Sequence, residues 1–443
     1  MLKRRLCNAL LLAAGVLLPG CGTIGDIAGT NRVAQGQSGY VRGFLGGVVS
    51  EEPRAALVAR EVLSAGGSAT DAAVALGFAL SVSLPSRASL GGGGVCVTWN
   101  SARAESLGFA FPARTAGGGN MADDRPAAVP MLARGLFALH ARGGGRLNFE
   151  RLVSPAEAMA RFGILTSRTL ARDLSPVAAL LARDPSAAAV FVPGGRPLAE
   201  GDQMTQPELA NTLGTIRGQG PGDLYQGALG RRIADASAAA GGTLTIEELR
   251  AAVPQMTRVA GVRAGNDLAF AAPDPAGAAA IEAWRTGQPA GADRPGSYGA
   301  STGYLVFDRD GNAVACSLTM NNLFGTGRMV PGTGLLLAAA PTGRVVPPPL
   351  PAVIVANERV KAVRFVGAAS GGGAAPAALA AVMQFAINNN QRAVDAVAAP
   401  RTAFAQGEGR VSVLTCPRYF RANFDACGWA ADPRGSGLAT GGE

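Results

Sequence analysis

The chain has 443 residues, of which 48% are hydrophobic and 16% charged, and its formal net charge is +9. This length and balance are typical of one large or two ordinary globular domains and exclude broad disorder. The positive charge comes from scattered arginines, and the one basic run is Lys3-Arg4-Arg5. Because nucleic-acid recognition requires clustered basic surface, we expect no nucleic-acid partner.

The first 20 residues predict a secretory signal, with Lys3-Arg4-Arg5 as its charged start and residues 9–18 as its apolar core. The segment ends in Leu17-Leu18-Pro19-Gly20-Cys21, which resembles a bacterial lipobox. We therefore expect Cys21 to be lipidated and the protein to be periplasmic, held at a bacterial membrane by this lipid alone. An ordinary cleaved signal is the alternative. Residues 21–50 are Gly-rich and polar, which indicates a tether before a fold that starts near Glu51.

The predicted elements after the tether alternate between helical and extended segments, separated by glycine-rich turns. Helices are expected over 54–65, 69–84, about 131–142, 148–162, 166–173, 206–218, 225–240, about 246–252, about 276–285, 375–389 and 391–398. Strands are expected over 95–99, 104–111, 257–263, 268–271, 304–307, 313–319, 335–338, 352–356 and 363–367. This order predicts an α+β fold with sheets in the middle and helices outside.

Four cysteines lie beyond the signal and tether. Cys96 and Cys316 occur in apolar strand-like runs and are predicted to be buried thiols. Cys416 and Cys427 flank a short segment near the C-terminus, and an oxidising compartment would allow them to pair. Spacing alone leaves both the disulfide and two free thiols open for this second pair.

The hairpin over residues 304–319 starts from two adjacent hydroxyl residues, Ser301 and Thr302. The Gly-, Pro- and Ala-rich segment 286–300 just before them is a natural place for a cut. A cut there would turn the hydroxyl residue into an N-terminal nucleophile. Its own α-amine, with a pKa of about 8, could then serve as the general base.

The sequence offers few residues for histidine-dependent, phosphate-binding or metal-dependent chemistry. The only histidine, His140, lies on a predicted helix and is interpreted as a satisfied or exposed helical histidine rather than a triad base. The glycine runs 91–94 and 371–373 are not followed by lysine in phosphate-loop spacing. No Cys/His cluster suggests a metal site, so we expect neither cofactor nor metal.

Several motifs in chain order resemble the γ-glutamyltransferases (γ-glutamyltranspeptidases), from about residue 51 to the C-terminus. They are Gly66-Gly67-Ser68-Ala69-Thr70-Asp71-Ala72-Ala73-Val74-Ala75, Leu90-Gly91-Gly92-Gly93-Gly94, Gly241-Gly242-Thr243-Leu244-Thr245-Ile246-Glu247-Glu248-Leu249, Thr302-Gly303-Tyr304, Asp308-Arg309-Asp310-Gly311-Asn312-Ala313-Val314-Ala315, Thr319-Met320-Asn321, Phe324-Gly325-Thr326-Gly327 and Ala431-Asp432-Pro433-Arg434-Gly435-Ser436-Gly437.

The resemblance implies a four-layer αββα sandwich of the N-terminal-nucleophile hydrolase type. It also implies a precursor that cuts itself into a large subunit (51–300) and a small subunit (301–443), which stay associated as one intertwined domain. The implied substrate is a small-molecule amide of the γ-glutamyl, glutathione type.

The resemblance also assigns individual site residues. The nucleophile position falls on Ser301, with Thr302 as the competing candidate. Thr319 matches the residue whose hydroxyl supports the nucleophile, and Asn321 matches a substrate contact. Gly371 and Gly372 match the paired glycines whose N–H groups lie near the reacting carbonyl.

Three substrate-binding positions depart from the family pattern. The stretch Leu107-Gly108-Phe109-Ala110-Phe111-Pro112 lacks the arginine expected for the substrate carboxylate. Ala338-Ala339-Ala340-Pro341 replaces the aspartate that holds the substrate ammonium, and Pro348-Pro349 replaces the paired serines. The sequence therefore predicts a self-processing acyltransferase or hydrolase that acts on γ-glutamyl or related, less charged amides. The alternative is an inactive family member that serves as a periplasmic binding or scaffold lipoprotein.

Overall fold

The computed structural model describes residues 45–116, 125–288, 300–342, 344–401, 409–420 and 426–442. The predicted signal, the lipidation residue Cys21 and residues 21–44 of the predicted tether lie outside these ranges. Within them, none of the helices is both long and apolar enough to cross a membrane.

Two large antiparallel sheets dominate the described ranges. The strands are β1 (Gly46–Ser50), β2 (Gly93–Asn100), β3 (Glu105–Phe111), β4 (Arg114–Thr115), β5 (Ala128–Val129), β6 (Ile164–Leu165), β7 (Gln203–Met204), β8 (Gln255–Arg258), β9 (Val262–Ala264), β10 (Asp267–Ala271), β11 (Ser301–Asp308), β12 (Ala313–Thr319), β13 (Met329–Val330), β14 (Leu335–Leu336), β15 (Ala352–Asn357), β16 (Ala362–Ser370), β17 (Arg410–Thr415), β18 (Gly428–Ala431) and β19 (Leu438–Gly442). The first sheet has the order β19-β1-β11-β12-β2-β3-β8, and the second has the order β18-β17-β16-β15-β10-β9.

Helices cover the outer faces of both sheets. They are α1 (Pro53–Ser64), α2 (Ala69–Ser83), α3 (Leu132–Gly143), α4 (Phe149–Phe162), α5 (Arg168–Leu174), α6 (Ala178–Leu181), α7 (Pro185–Phe191), α8 (Pro207–Gln219), α9 (Gly222–Gln226), α10 (Ala228–Ala236), α11 (Ile246–Ala251), α12 (Pro275–Thr286), α13 (Ala375–Met383) and α14 (Ala393–Ala398). Every residue of α2 is buried, because this helix packs under the first sheet and is itself covered by other helices.

Strand alternation divides the side chains of the first sheet between two cores. Leu305 and Phe307 pack between the sheets with Ile354 of the second sheet. Tyr304 and Val306 point the other way, into the core formed with the helices of the large N-terminal part. A third core joins the far face of the second sheet to α12, α13 and α14. These three cores separate four layers, which confirms the predicted αββα sandwich.

The tether prediction is wrong at its C-terminal end. Residues 46–50 form β1, a fully buried strand paired with both β11 and β19. Its two leading glycines gave it the composition of a linker, whereas its partners in the sheet make it a central strand. The folded part therefore starts at least five residues before Glu51.

The structure contains a disulfide at each of the two cysteine pairs considered in the sequence. Cys96 and Cys316 are buried as expected, but they form a disulfide between the neighbouring strands β2 and β12, so the prediction of free thiols is wrong. Their strands are adjacent only through tertiary pairing, which local patterning does not reveal. Cys416 and Cys427 also form a disulfide, which settles the question that their spacing left open.

His140 has a structural role, as expected from the sequence. Its Nε2 lies 2.8 Å from the carbonyl oxygen of Leu147 and 3.5 Å from Oδ1 of Asp71. Asp71 closes a capping box with Ser68 at the start of α2. The hydrogen bond to Asp71 raises the pKa of His140 above its ordinary value, against the opposing effect of burial. The histidine thus ties α3 to the N-terminus of α2.

Candidate active site

The junction between Ala300 and Ser301 lies at the start of β11, where Ser301 pairs with Thr319 of β12. Ser301 is completely buried, and its Oγ has no hydrogen-bond partner among the described residues. Alternation along β11 places Ser301 on the same face as Gly303 and Leu305, which look into the space between the two sheets. The predicted nucleophile therefore faces the second sheet.

The carbonyl group of Ala300 is held by two donors at the end of the neighbouring strand, Thr319 of β12 and Met320 directly after it. The hydroxyl of Thr319 donates to this oxygen at 2.9 Å, and the Met320 N–H donates to it at 3.4 Å. The Asn321 N–H in turn donates to Thr319 Oγ1 at 2.8 Å, which fixes the direction of the hydroxyl. Donors aimed at a carbonyl oxygen stabilise the negative charge that develops when the carbon is attacked. Two donors therefore converge on the carbonyl oxygen of the peptide bond that precedes Ser301.

Thr302 lies on the opposite face of the same strand. Its alternation partner Tyr304 points into the helical layer, where the Tyr304 hydroxyl donates to the Ala73 carbonyl oxygen at 3.1 Å. The Thr302 hydroxyl is buried without a partner among the described residues. It therefore faces helices rather than the second sheet, which favours Ser301 of the two candidates.

Gly371 and Gly372 form a left-handed turn directly after β16, with φ of +101° and +75°. β16 runs close to β11 near this end, because a Cβ added at Gly303 would lie 3.1 Å from the carbonyl carbon of Ala368. β11 begins at Ser301 and β16 finishes at Ser370, so the glycine turn follows β16 at the end of the sandwich where β11 starts. This location suits the predicted role near the reacting carbonyl.

A buried group of charged residues lies at the same end of the sandwich, and the sequence reasoning missed it. Arg87 contacts Glu51 at 2.8 Å and makes a two-point ion pair with Asp173 at 2.7 and 2.8 Å. Arg410 Nε lies 3.5 Å from Glu51. Burial alone would lower the pKa of Arg87, but Asp173 and Glu51 together raise it above its ordinary value. The sequence carried no local signal for this group, because its members lie far apart along the chain.

Residues 55–286, more than half of the chain, match the model of the gamma-glutamyltranspeptidase family. The chain belongs to the γ-glutamyltranspeptidase family. The resemblance seen in the motifs is thereby confirmed.

Curated γ-glutamyltranspeptidase relatives include both glutathione hydrolases and acylases. The glutathione hydrolase proenzyme of Escherichia coli (strain K12) is 27% identical over 384 residues, which are 67% of this chain and 66% of that protein. The acylase ACY 1 proenzyme of Pseudomonas sp. (strain V22) is 33% identical over 228 residues, 47% of this chain and 41% of that protein. The chain thus spans between 41% and 66% of the length of these two relatives.

Solved structures show the same fold. The cephalosporin acylase from Bacillus halodurans superposes with a TM-score of 0.76 at 18% identity, covering 92% of this chain and 98% of that one. The γ-glutamyltranspeptidase of Helicobacter pylori gives a TM-score of 0.50 at 26% identity, covering 56% of this chain and 75% of that one.

The structure keeps the departures from the γ-glutamyltranspeptidase pattern that the sequence showed. Phe111 is buried in β3, in the stretch where an arginine was expected for the substrate carboxylate. Residues 338–340, where an aspartate was expected, form a buried alanine run. The Asn321 side chain, predicted to contact substrate, donates to the Ala339 carbonyl oxygen at 2.7 Å. The predicted substrate contact is thus bonded to the alanine run that stands where an aspartate was expected.

Glu52, next to the charged group, provides a pH-dependent test of the packing. Burial raises the pKa of this carboxyl from 4.5 to about 7, despite opposing hydrogen bonds from Ser167 and the Arg54 N–H. A raised folded-state pKa means that the folded form retains its proton while the unfolded form loses it. Stability should therefore fall as pH rises from about 4.5 through 7, by about 3 kcal/mol for this group.

We expect Glu52→Gln to remove this loss, because glutamine does not ionise. The difference in free energy of unfolding between the variant and the parent should grow by about 2–3 kcal/mol from pH 5 to pH 8. Urea unfolding at both pH values measures this difference, with both proteins made in a Ser301→Ala background so that each remains one chain. Glu61→Gln, at an exposed position of α1, the helix for which Glu52 is the N-cap, is the matched control. An equal response of the two variants would contradict the prediction.

Proposed function

We propose that the protein is an exported, self-processing acyltransferase or amide hydrolase that acts through Ser301 as an N-terminal nucleophile. The observation that carries the proposal is the Ala300–Ser301 junction. A partnerless serine hydroxyl adjoins a carbonyl group that accepts from Thr319 and from the Met320 N–H. The same geometry supports Ser301 over Thr302.

Self-processing would proceed by an N→O acyl shift. Ser301 Oγ attacks the Ala300 carbonyl carbon, the C–N bond breaks, and the hydroxyl proton ends on the new α-amine of Ser301. Water then hydrolyses the ester, which leaves a carboxylate on Ala300 and regenerates the hydroxyl. The free amine becomes the base for later turnovers.

Turnover would use the same hydroxyl on a substrate amide. The α-amine of Ser301 takes the Oγ proton as the oxygen attacks, and the leaving amine receives it as the amide bond breaks. The oxyanion would be stabilised by N–H groups of the Gly371–Gly372 turn. Water or an amino acid then accepts the acyl group from Ser301.

The substrate is proposed to be an amide of a less charged acyl group than γ-glutamyl. The positions that would pair with the carboxylate and the ammonium of γ-glutamyl hold apolar residues, and each missing charge-assisted contact is worth roughly 1.5–3 kcal/mol. Relatives named as acylases support this direction.

A panel of p-nitroanilides tests the substrate class: γ-glutamyl, glutaryl (the same acyl group without its ammonium) and phenylacetyl. The processed protein should hydrolyse the glutaryl or phenylacetyl compound about 10-fold or more faster than the γ-glutamyl one, given the missing contacts. A preference for γ-glutamyl would overturn the substrate assignment. An uncut chain that hydrolyses none of them would favour the inactive binding or scaffold lipoprotein.

Localisation is proposed from residues 1–21 alone. In a bacterium that expresses the full chain, the protein should fractionate with membranes, and Cys21→Ala should move it to the soluble fraction. Soluble wild-type protein would contradict lipidation.

A further inference from the structure

Glu51 joins the two sheets beside the candidate active site. It follows β1, and alternation from the inter-sheet residue Val49 places its side chain between the sheets. Ser370 ends β16 and lies on the inter-sheet face of the second sheet, two residues after Ala368. The Ser370 hydroxyl donates to Glu51 Oε1, so one hydrogen bond crosses the space between the sheets.

The other oxygen of Glu51 is held by arginines. Arg87 Nη1 lies 2.8 Å from Glu51 Oε2, and Arg410 Nε lies 3.5 Å from it. Arg87 is itself fixed by its two-point pair with Asp173. All these side chains are largely buried, so Glu51 presents its remaining oxygen to Ser370 in a fixed direction.

Ser370 is the last residue with a side chain before the glycine turn. Gly371 and Gly372 both have positive φ and no Cβ, so the backbone of this pair is not restrained by side chains of its own. An oxyanion site requires its N–H groups to lie within about 2.7–3.1 Å of the developing charge, so the turn has to be fixed from outside. The bond from Ser370 to Glu51 is the contact that ties the start of this turn to the first sheet.

We propose that Glu51, acting through Ser370, is a positioning residue that holds the Gly371–Gly372 turn in place beside Ser301. The proposal rests on the proposed function for its catalytic consequence. Self-processing should be spared, because the Ala300 carbonyl is held by Thr319 and Met320 rather than by the glycines. The loss should fall on kcat, since the glycine N–H groups act on the transition state.

The first experiment measures the hold on the turn itself, without any need for activity. Amide hydrogen exchange of the peptide around residues 368–376 is compared in Ser301→Ala protein with and without Ser370→Ala. We expect exchange in this peptide to become about 10-fold faster, as local opening is favoured by loss of an anchor. The control is Ser81→Ala, which removes another buried hydroxyl, one that donates to the Phe78 carbonyl oxygen at 2.7 Å. Unchanged exchange in Ser370→Ala would overturn the proposal.

The second experiment measures the consequence for turnover, with the p-nitroanilide that the processed protein hydrolyses fastest. Ser370→Ala should be cut normally and lose about 10–100-fold in kcat with little change in KM, as expected for a misplaced catalytic group. Glu51→Gln combined with Ser370→Ala should cost no more than the larger single effect, because both act through one contact. Additive losses, or processing slowed as much as turnover, would contradict positioning. A wild-type chain that is neither cut nor active would refute the proposed function, while hydrogen exchange still decides whether the bond from Ser370 to Glu51 holds the turn.

Discussion

Ser301→Ala protein should remain a single uncut chain, whereas the wild type should yield two fragments. The smaller fragment should start at Ser301 and contain residues 301–443. The reason is chemical: without Oγ no N→O acyl shift can occur at the Ala300 carbonyl, so the peptide bond keeps its ordinary stability. Denaturing electrophoresis under reducing conditions, with N-terminal sequencing of the smaller band, measures the result. All anilide hydrolysis should disappear with processing, because the same oxygen serves both steps.

Two matched variants separate Ser301 from its neighbour. Ser301→Thr keeps a hydroxyl at the same atom position and should still be cut. Thr302→Val removes the hydroxyl that faces the helical layer and should leave the cut before Ser301 unchanged. The assignment of Ser301 would be wrong if Thr302→Val stayed intact while Ser301→Ala was processed.

Thr319→Val should slow self-processing by about 10²–10³-fold, the loss typical of one removed oxyanion donor. Valine is nearly the same shape as threonine, so the buried volume is retained. It cannot donate to the Ala300 carbonyl oxygen, however, and it leaves the Asn321 N–H without its acceptor. The Met320 N–H, at 3.4 Å, remains as the weaker donor, so slow processing should persist. A time course of cutting in purified precursor provides the measurement.

Thr319→Ser is the control for this prediction, since it retains the hydroxyl and loses only a methyl group. It should be processed at close to the wild-type rate. A thermal melt of each uncut precursor shows whether Thr319→Val has merely loosened the fold. Processing of Thr319→Val at the wild-type rate would show that the Thr319 hydroxyl does not assist attack.

The hairpin that carries Ser301 was predictable because its signals are local. Turn residues and an apolar run mark its two strands, and Asp308 indeed accepts from the backbone N–H groups of Asp310 and Asn312 at the turn. The structure starts the first strand at Ser301, three residues earlier than predicted. That extension matters, because alternation within the strand is what separates the faces of Ser301 and Thr302.

The charged group around Glu51 was out of reach of sequence reasoning. Its four charged members come from four separate segments, and Ser370, which donates to Glu51, lies 319 positions from it. No helical or strand periodicity connects such residues, and a buried charge differs from an exposed one only through its tertiary partners. The same limit applies to β1. Its glycines are typical of a linker in the sequence, and only the pairing with β11 and β19 in the structure identifies it as a strand.

The disulfide between Cys96 and Cys316 would link two separate chains in a protein that is cut before Ser301. Cys96 lies on one side of the Ala300–Ser301 bond and Cys316 on the other, 220 positions along the chain. In the intact precursor the bond closes a loop, but in the cut protein it would be a covalent bridge between two polypeptides. Because the disulfide would link the two fragments, the effective concentration of one fragment around the other would be about millimolar, and dilution of the protein would not lower it. Refolding of the mature protein would remain unimolecular, and reduction would convert it into an encounter between separate chains.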